Sequence, residues 1–142
     1  MSKNREVVET WFRRVWAEED ESAIDDMLVS ETEARGLASK ELTGPEGFKA
    51  FHRAFLANLC EFDIVIDRFI EDDDWASVLV TINAKCRESG KDICTTGNIY
   101  LQIVDGKLIQ GDNHIDFISL LEQLGKLPEH TLEHALSGGR FS

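Results

Sequence analysis

An α+β domain with its helices before its sheet is what the sequence predicts, and three observations predict it. Apolar side chains recur every three to four positions as far as Leu59, alternate at every second position from Glu61 to about Ile115, and then return to helical spacing at Phe117. The length of 142 residues matches one ordinary domain with a real core. Residues 1–130 form that domain, and 131–142, ending "SGGRFS", read as a C-terminal tail.

The first helix is the amphipathic run 4–17, with Val7, Val8, Trp11, Phe12, Val15 and Trp16 on one side and Arg5, Glu9, Arg13 and Arg14 on the other. Ser22 is expected to cap a short second helix that runs to about Leu28. Residues 30–43 carry no clear period. Pro45 suits the first turn of a third helix, whose inner face is Phe48, Phe51, His52, Phe55, Leu56 and Leu59. Phe62, Ile64 and Ile66 begin the first alternating run, "EDDDW" turns the chain, and Ala76 to Ala84 alternate again. A third run reaches Val104, where Asp105-Gly106 supplies the two positive-φ residues of a tight hairpin into a last strand, Lys107 to about Ile115. Gly125 and Pro128 end the closing helix. Three helices and a four-stranded antiparallel meander are therefore expected.

Charge and composition exclude several functions. With 15 Lys and Arg against 27 Asp and Glu, the formal charge is −12, which disfavours nucleic acid and anionic lipid as partners. No run approaches the roughly 18 apolar residues of a membrane span, and "MSKNREVVETWFRRVW" is charged, so a cytoplasmic location is expected. The three cysteines Cys60, Cys86 and Cys94 show no CxxC spacing and read as free packed thiols. No Gly-rich phosphate loop, nucleophile elbow or metal-ligand spacing is present, so no cofactor and no metal are expected.

One constellation carries candidate chemistry. In "DNHIDFISLLEQLG", Asp112, His114 and Asp116 alternate along one side of the last strand, about 6–7 Å apart in steps. Facing an apolar pocket, two such carboxylates would disfavour each other's ionisation, and His114 would relay a proton or hold an anion. Asp116, three residues before Ser119, is equally placed to cap the helix that follows. His52 is either a hydrogen-bonded wall histidine or a donor toward a ligand. Tyr100 and Asn98 share a strand face, and Phe55 and Trp16 read as apolar wall or core.

"LTGPEGFKAFHRAFL" (42–56), "TGNIYLQIVDGKL" (96–108) and "DFISLLEQLGKLP" (116–128), in this order and spacing, resemble the SnoaL-like polyketide cyclases, relatives of nuclear transport factor 2 and ketosteroid isomerase. The resemblance implies a cone-shaped barrel: three N-terminal helices packed on a strongly curved, mainly antiparallel sheet, with a short C-terminal helix and a pocket inside. It implies a homodimer through the outer sheet face and makes Asp116 the general base of a cofactor-free reaction. Where the family commonly has Trp, this chain has Asp112. The function expected is a cofactor-independent isomerase, cyclase or dehydratase that abstracts a proton next to a carbonyl of a small apolar ligand. Asp116 would be the base, His114 or Asp112 its partner, and Tyr100, Asn98 or His52 the oxyanion donors. The alternative is a non-catalytic protein that binds a small hydrophobic ligand or serves as a dimeric accessory domain.

Overall fold

The structure, a computed structural model, describes residues 2–141. Helix α1, Lys3–Trp11, is capped by Ser2, whose hydroxyl accepts from the Arg5 N–H at 3.1 Å. It runs without a break into a π-helical turn, Phe12–Ala17. Here Glu18 N donates to Arg13 O and Asp20 N to Arg14 O, so each ring is wider than in an α-helix. The next carbonyl, that of Val15, is met by His52 Nε2 at 2.7 Å. A carbonyl only accepts, so His52 donates from Nε2. The wide turn keeps Trp11, Phe12, Val15 and Trp16 all buried.

Helix α2 is Ser22–Met27. Its cap differs from expectation: Asp20 Oδ1 accepts from both the Ser22 N–H (3.0 Å) and the Ser22 hydroxyl (2.5 Å). A carboxylate is the stronger acceptor, so it takes the capping role and Ser22 becomes a donor. The Ser22 hydroxyl first, and then the Arg14 guanidinium, hold the Asp20 carboxyl below its ordinary range. Helix α3, Gly44–Asn58, starts with Pro45 in its first turn as expected, and buries Phe48 and His52.

Six strands follow or intervene: β1 Leu28–Arg35, β2 Leu42–Thr43, β3 Leu59–Asp72, β4 Trp75–Cys86, β5 Asp92–Val104 and β6 Lys107–Ile115. They form one curved, open sheet in the order β2-β1-β6-β5-β4-β3. The four-stranded meander β3–β6 is antiparallel as expected, but β1 adds to β6 in parallel and β2 pairs antiparallel with β1. These two strands occupy the stretch that showed no period. The reason lies in what β1 turns inward: Leu28, Thr32 and Ala34 are buried, and a threonine and an alanine give little hydropathy contrast. The Thr32 hydroxyl is accommodated by two hydrogen bonds, accepting from Val29 N at 2.9 Å and donating to Leu108 O at 2.7 Å.

Helices α1 and α3 cover the concave face of the sheet, where Val78, Val80, Ile82, Ile99 and Leu101 meet them. Two short helices, α4 (Phe117–Gln123) and α5 (Thr131–Leu136), close the chain. Gly125, at φ 74°, ends the region after α4 as its position suggested. Cys94 is exposed, whereas Cys60 and Cys86 are half-buried; all three thiols are free.

The hairpin from β5 to β6 fixes what the last strand shows to the interior. Val104 pairs with Lys107 across Asp105 (φ 52°) and Gly106 (φ 75°), the two-residue turn expected from the sequence. Ile103 pairs with Leu108, but Gln102 then pairs with Gln110, which leaves Ile109 as one extra residue, a β-bulge. From that point every β6 side chain is shifted by one relative to an unbroken ladder.

Candidate functional site

Between the concave face and the helices lies a partly open cavity of about 70 Å³; with the solvent it opens to, the empty space is about 760 Å³. Its wall is built by aromatic side chains: Trp11, Phe12 and Trp16 from the first helix, Phe48, Phe51 and Phe55 from α3, Phe62 from β3 and Phe117 from α4. Trp16 is the hub, its ring centroid 5.0 Å from His52, 5.3 Å from Phe62, 5.5 Å from Phe55 and 6.2 Å from both Phe48 and Phe51. These are edge or tilted contacts, the favoured geometry for rings with a negative face and a positive edge. Leu37, Asn113 and Phe117 are half-buried members of the lining.

The bulge at Ile109 decides which β6 residues reach this space. An unbroken hairpin would place Asp112 opposite the buried Ile99. Instead Ile99 faces Asn113, and Gly111, Asn113 and Ile115 line the cavity. Asp112 and His114 are on the opposite, outer face of the sheet, across from Tyr100 and Asn98. The structure does bring these four together, but on that outer face. Asp112 accepts from Gln110 Nε2 at 3.0 Å and lies 3.8 Å from Arg35, and His114 is exposed. Arg35 also meets Glu33 and Glu41, and Glu41 first, then Glu33, raise its pKa. Asn98 Oδ1 accepts from Ser77 Oγ at 3.2 Å, and the Tyr100 ring lies tilted against Trp75 with centroids 5.2 Å apart.

Asp116 is exposed at the end of the strand. Its Oδ1 accepts from Ser119 N at 3.0 Å, the capping geometry the Asp-x-x-Ser spacing suggested. His52 is 1 % exposed, behind Trp16, and engaged with the Val15 carbonyl rather than the cavity wall. Of the candidate site residues named from the sequence, Trp16 and Phe55 line the cavity.

Sequence reading missed two lining residues, the polar Asn113 and the apolar Leu37. Asn113 Nδ2 donates to the Arg35 carbonyl at 2.9 Å and so anchors the chain where β1 turns toward Leu37. Glu33, among the described residues the one ionisable side chain in the lining, alternates with the buried Thr32 and Ala34, and its carboxylate lies 3.2 Å from Arg35 on the outer face. Among the described residues, no three His, Cys, Asp or Glu side chains are grouped to hold a metal ion, and no helix is long and apolar enough to cross a membrane.

Comparison with known proteins adds three findings. The family model described as SnoaL-like polyketide cyclase matches residues 6–124. No curated protein matches the sequence. Among solved structures, TsrD from Streptomyces laurentii is similar at 21 % identity and TM-score 0.73, over 88 % of this chain and 96 % of that one. A hypothetical protein with a ketosteroid isomerase-like fold from Catenulispora acidiphila, in complex with trimethylamine, gives 13 % and 0.75 over 89 % and 97 %. An LEH-like epoxide hydrolase from M. tuberculosis gives 14 % and 0.68 over 95 % and 96 %. At these identities the likeness concerns the fold.

Proposed function

This chain belongs to the SnoaL-like polyketide cyclase family, and within it we propose that the protein binds a compact, uncharged, largely apolar ligand in the aromatic cavity without turning it over. The observation that carries the reading is the wall: it is mostly aromatic and aliphatic, its polar members among the described residues are Thr32, Glu33, Gln110 and Asn113, and its one carboxylate, that of Glu33, is paired with Arg35 on the outer face. Proton abstraction next to a carbonyl needs a base within hydrogen-bond reach of the substrate. Asp112 and His114 are across the sheet from the cavity, and Asp116 is engaged as a helix cap. Size narrows the ligand. An apolar cavity of roughly 150 Å³ takes benzene, so a cavity of about 70 Å³ admits only a smaller group, and anything ring-sized extends toward solvent. The trimethylamine of the Catenulispora acidiphila complex is a molecule of the smaller class.

Toluene tests this reading. A ligand that binds only the native state raises the melting temperature with its concentration. Toluene is expected to raise Tm in the parent protein and in Asp116→Asn and His114→Ala. It should leave Ala34→Leu unchanged, because that variant fills the cavity from the buried wall. Equal Tm gains in the parent and Ala34→Leu would overturn the reading.

We also propose that the outer sheet face joins two copies of the chain. Ile70, Leu79 and Tyr100 stand there 61 %, 44 % and 47 % exposed, with Trp75 against Tyr100, an apolar group that a lone acidic domain would leave in water. Sedimentation at micromolar concentration is expected to give twice the chain mass, and Leu79→Glu to give the single mass; a parent protein that sediments as one chain would rule this out.

A further inference from the structure

We infer that Asn113 selects the ligand, and that the ligand class is compact hydroxyl compounds, alcohols or phenols, whose apolar body fills the aromatic cavity and whose O–H meets the Asn113 side chain. The inference rests on the binding reading above and adds the chemistry of the ligand's polar end.

It follows from accounting for every polar side chain in the wall. The Thr32 hydroxyl has both roles filled, accepting from Val29 and donating to Leu108. The Gln110 amide donates to Asp112 and the Glu33 carboxylate pairs with Arg35, both on the outer face. Asn113 differs. One N–H of its amide is held by the Arg35 carbonyl, which fixes the plane of the group. Among the described residues no donor is bonded to Oδ1 and no acceptor to the second N–H, so the amide keeps one acceptor and one donor free where Asn113 lines the cavity, close to Gly111, on which an added Cβ would lie 3.7 Å from Nδ2. A hydroxyl uses both at once, because it donates and accepts through one atom. An ether or a ketone uses only the donor, and a hydrocarbon neither. The amide is uncharged, so it orients a ligand without needing a counter-ion in an apolar wall. Its half-buried position suits the same division: Trp11, Phe12, Trp16 and Phe48 are the buried part of the wall, and a ring-sized ligand would reach Asn113 with the end nearer solvent.

Phenol, anisole and toluene share a ring and differ in this one group. Titrations followed by NMR are expected to rank phenol about tenfold tighter than anisole or toluene, the value of one well-placed hydrogen bond. The Asn113 side-chain amide resonance should move with phenol and stay with toluene. In Asn113→Leu the three compounds should bind alike. Should that variant fail to fold, the ranking and the Asn113 resonance in the parent protein decide the matter. Toluene binding with no gain for phenol, or a phenol preference that survives in Asn113→Leu, would overturn the inference and leave the binding reading intact. Failure of all three to bind would remove both.

Discussion

Trp16→Ala is expected to lower stability by about 3–5 kcal/mol, the usual cost of removing a large buried aromatic side chain. Trp16 is 8 % exposed and touches rings from α3 and β3, so its loss opens the place where the first helix, the third helix and the sheet meet. Thermal unfolding should show a Tm lower by roughly 10–20 °C for a domain of this size. The same change enlarges the cavity, so naphthalene, too large for the parent, should bind and restore part of the lost Tm. A variant that melts within a few degrees of the parent would mean that Trp16 is not the hub of the wall.

Gly36→Ala is the second large effect. Gly36 sits at φ 85°, where an L side chain is strained, and an added Cβ would fall 1.9 Å from the Asn113 carbonyl oxygen and 2.9 Å from its carbon. Those atoms belong to the β6 backbone, so no rotamer relieves the contact. Restricting the unfolded chain returns less than about 1 kcal/mol, against roughly 1–3 kcal/mol for the backbone conformation alone. With the contact added, a net loss of about 3 kcal/mol is expected, read as a fall in urea midpoint with unchanged m-value. Because Leu37 and Asn113 flank this point, ligand affinity should fall as well. A Gly36→Ala midpoint equal to that of the parent would contradict the close approach of β1 to β6.

How much of this was legible in the residues follows from the contrast each element offers. Ala76, Val78, Val80, Ile82 and Ala84 are all buried and alternate with Ser77, Leu79, Thr81 and Asn83, three of them polar, so β4 and its antiparallel partners could be read directly. Strand β1 was hidden because Thr32 and Ala34 point inward, and only the tertiary contact with Leu108 explains a buried hydroxyl there. The π-helical turn was hidden for a different reason: Trp11, Phe12, Val15 and Trp16 fit an α- and a π-spaced face alike, and the choice is made by His52 reaching the Val15 carbonyl.

The site was legible in part. Trp16 and Phe55 could be placed on inner faces by helical spacing, and the Asp116 cap by its distance from Ser119. The strand face could not be placed. The turn at Asp105-Gly106 was read correctly, yet a single extra residue at Ile109 exchanges Asp112 and His114 for Gly111 and Asn113 on the inner side. Nothing in "KLIQGDNHI" marks a bulge by hydropathy, since Ile109 is apolar on either face.

The claim that the cavity, and not the outer face of β6, is the functional site is tested most directly by mapping a bound ligand on the tryptophan indole resonances. Trp11 and Trp16 line the cavity, whereas Trp75 lies on the outer face beside Tyr100. Saturating toluene is expected to shift the Trp11 and Trp16 indole signals and leave Trp75 in place. A shift confined to Trp75, accompanied by His114, would contradict the account.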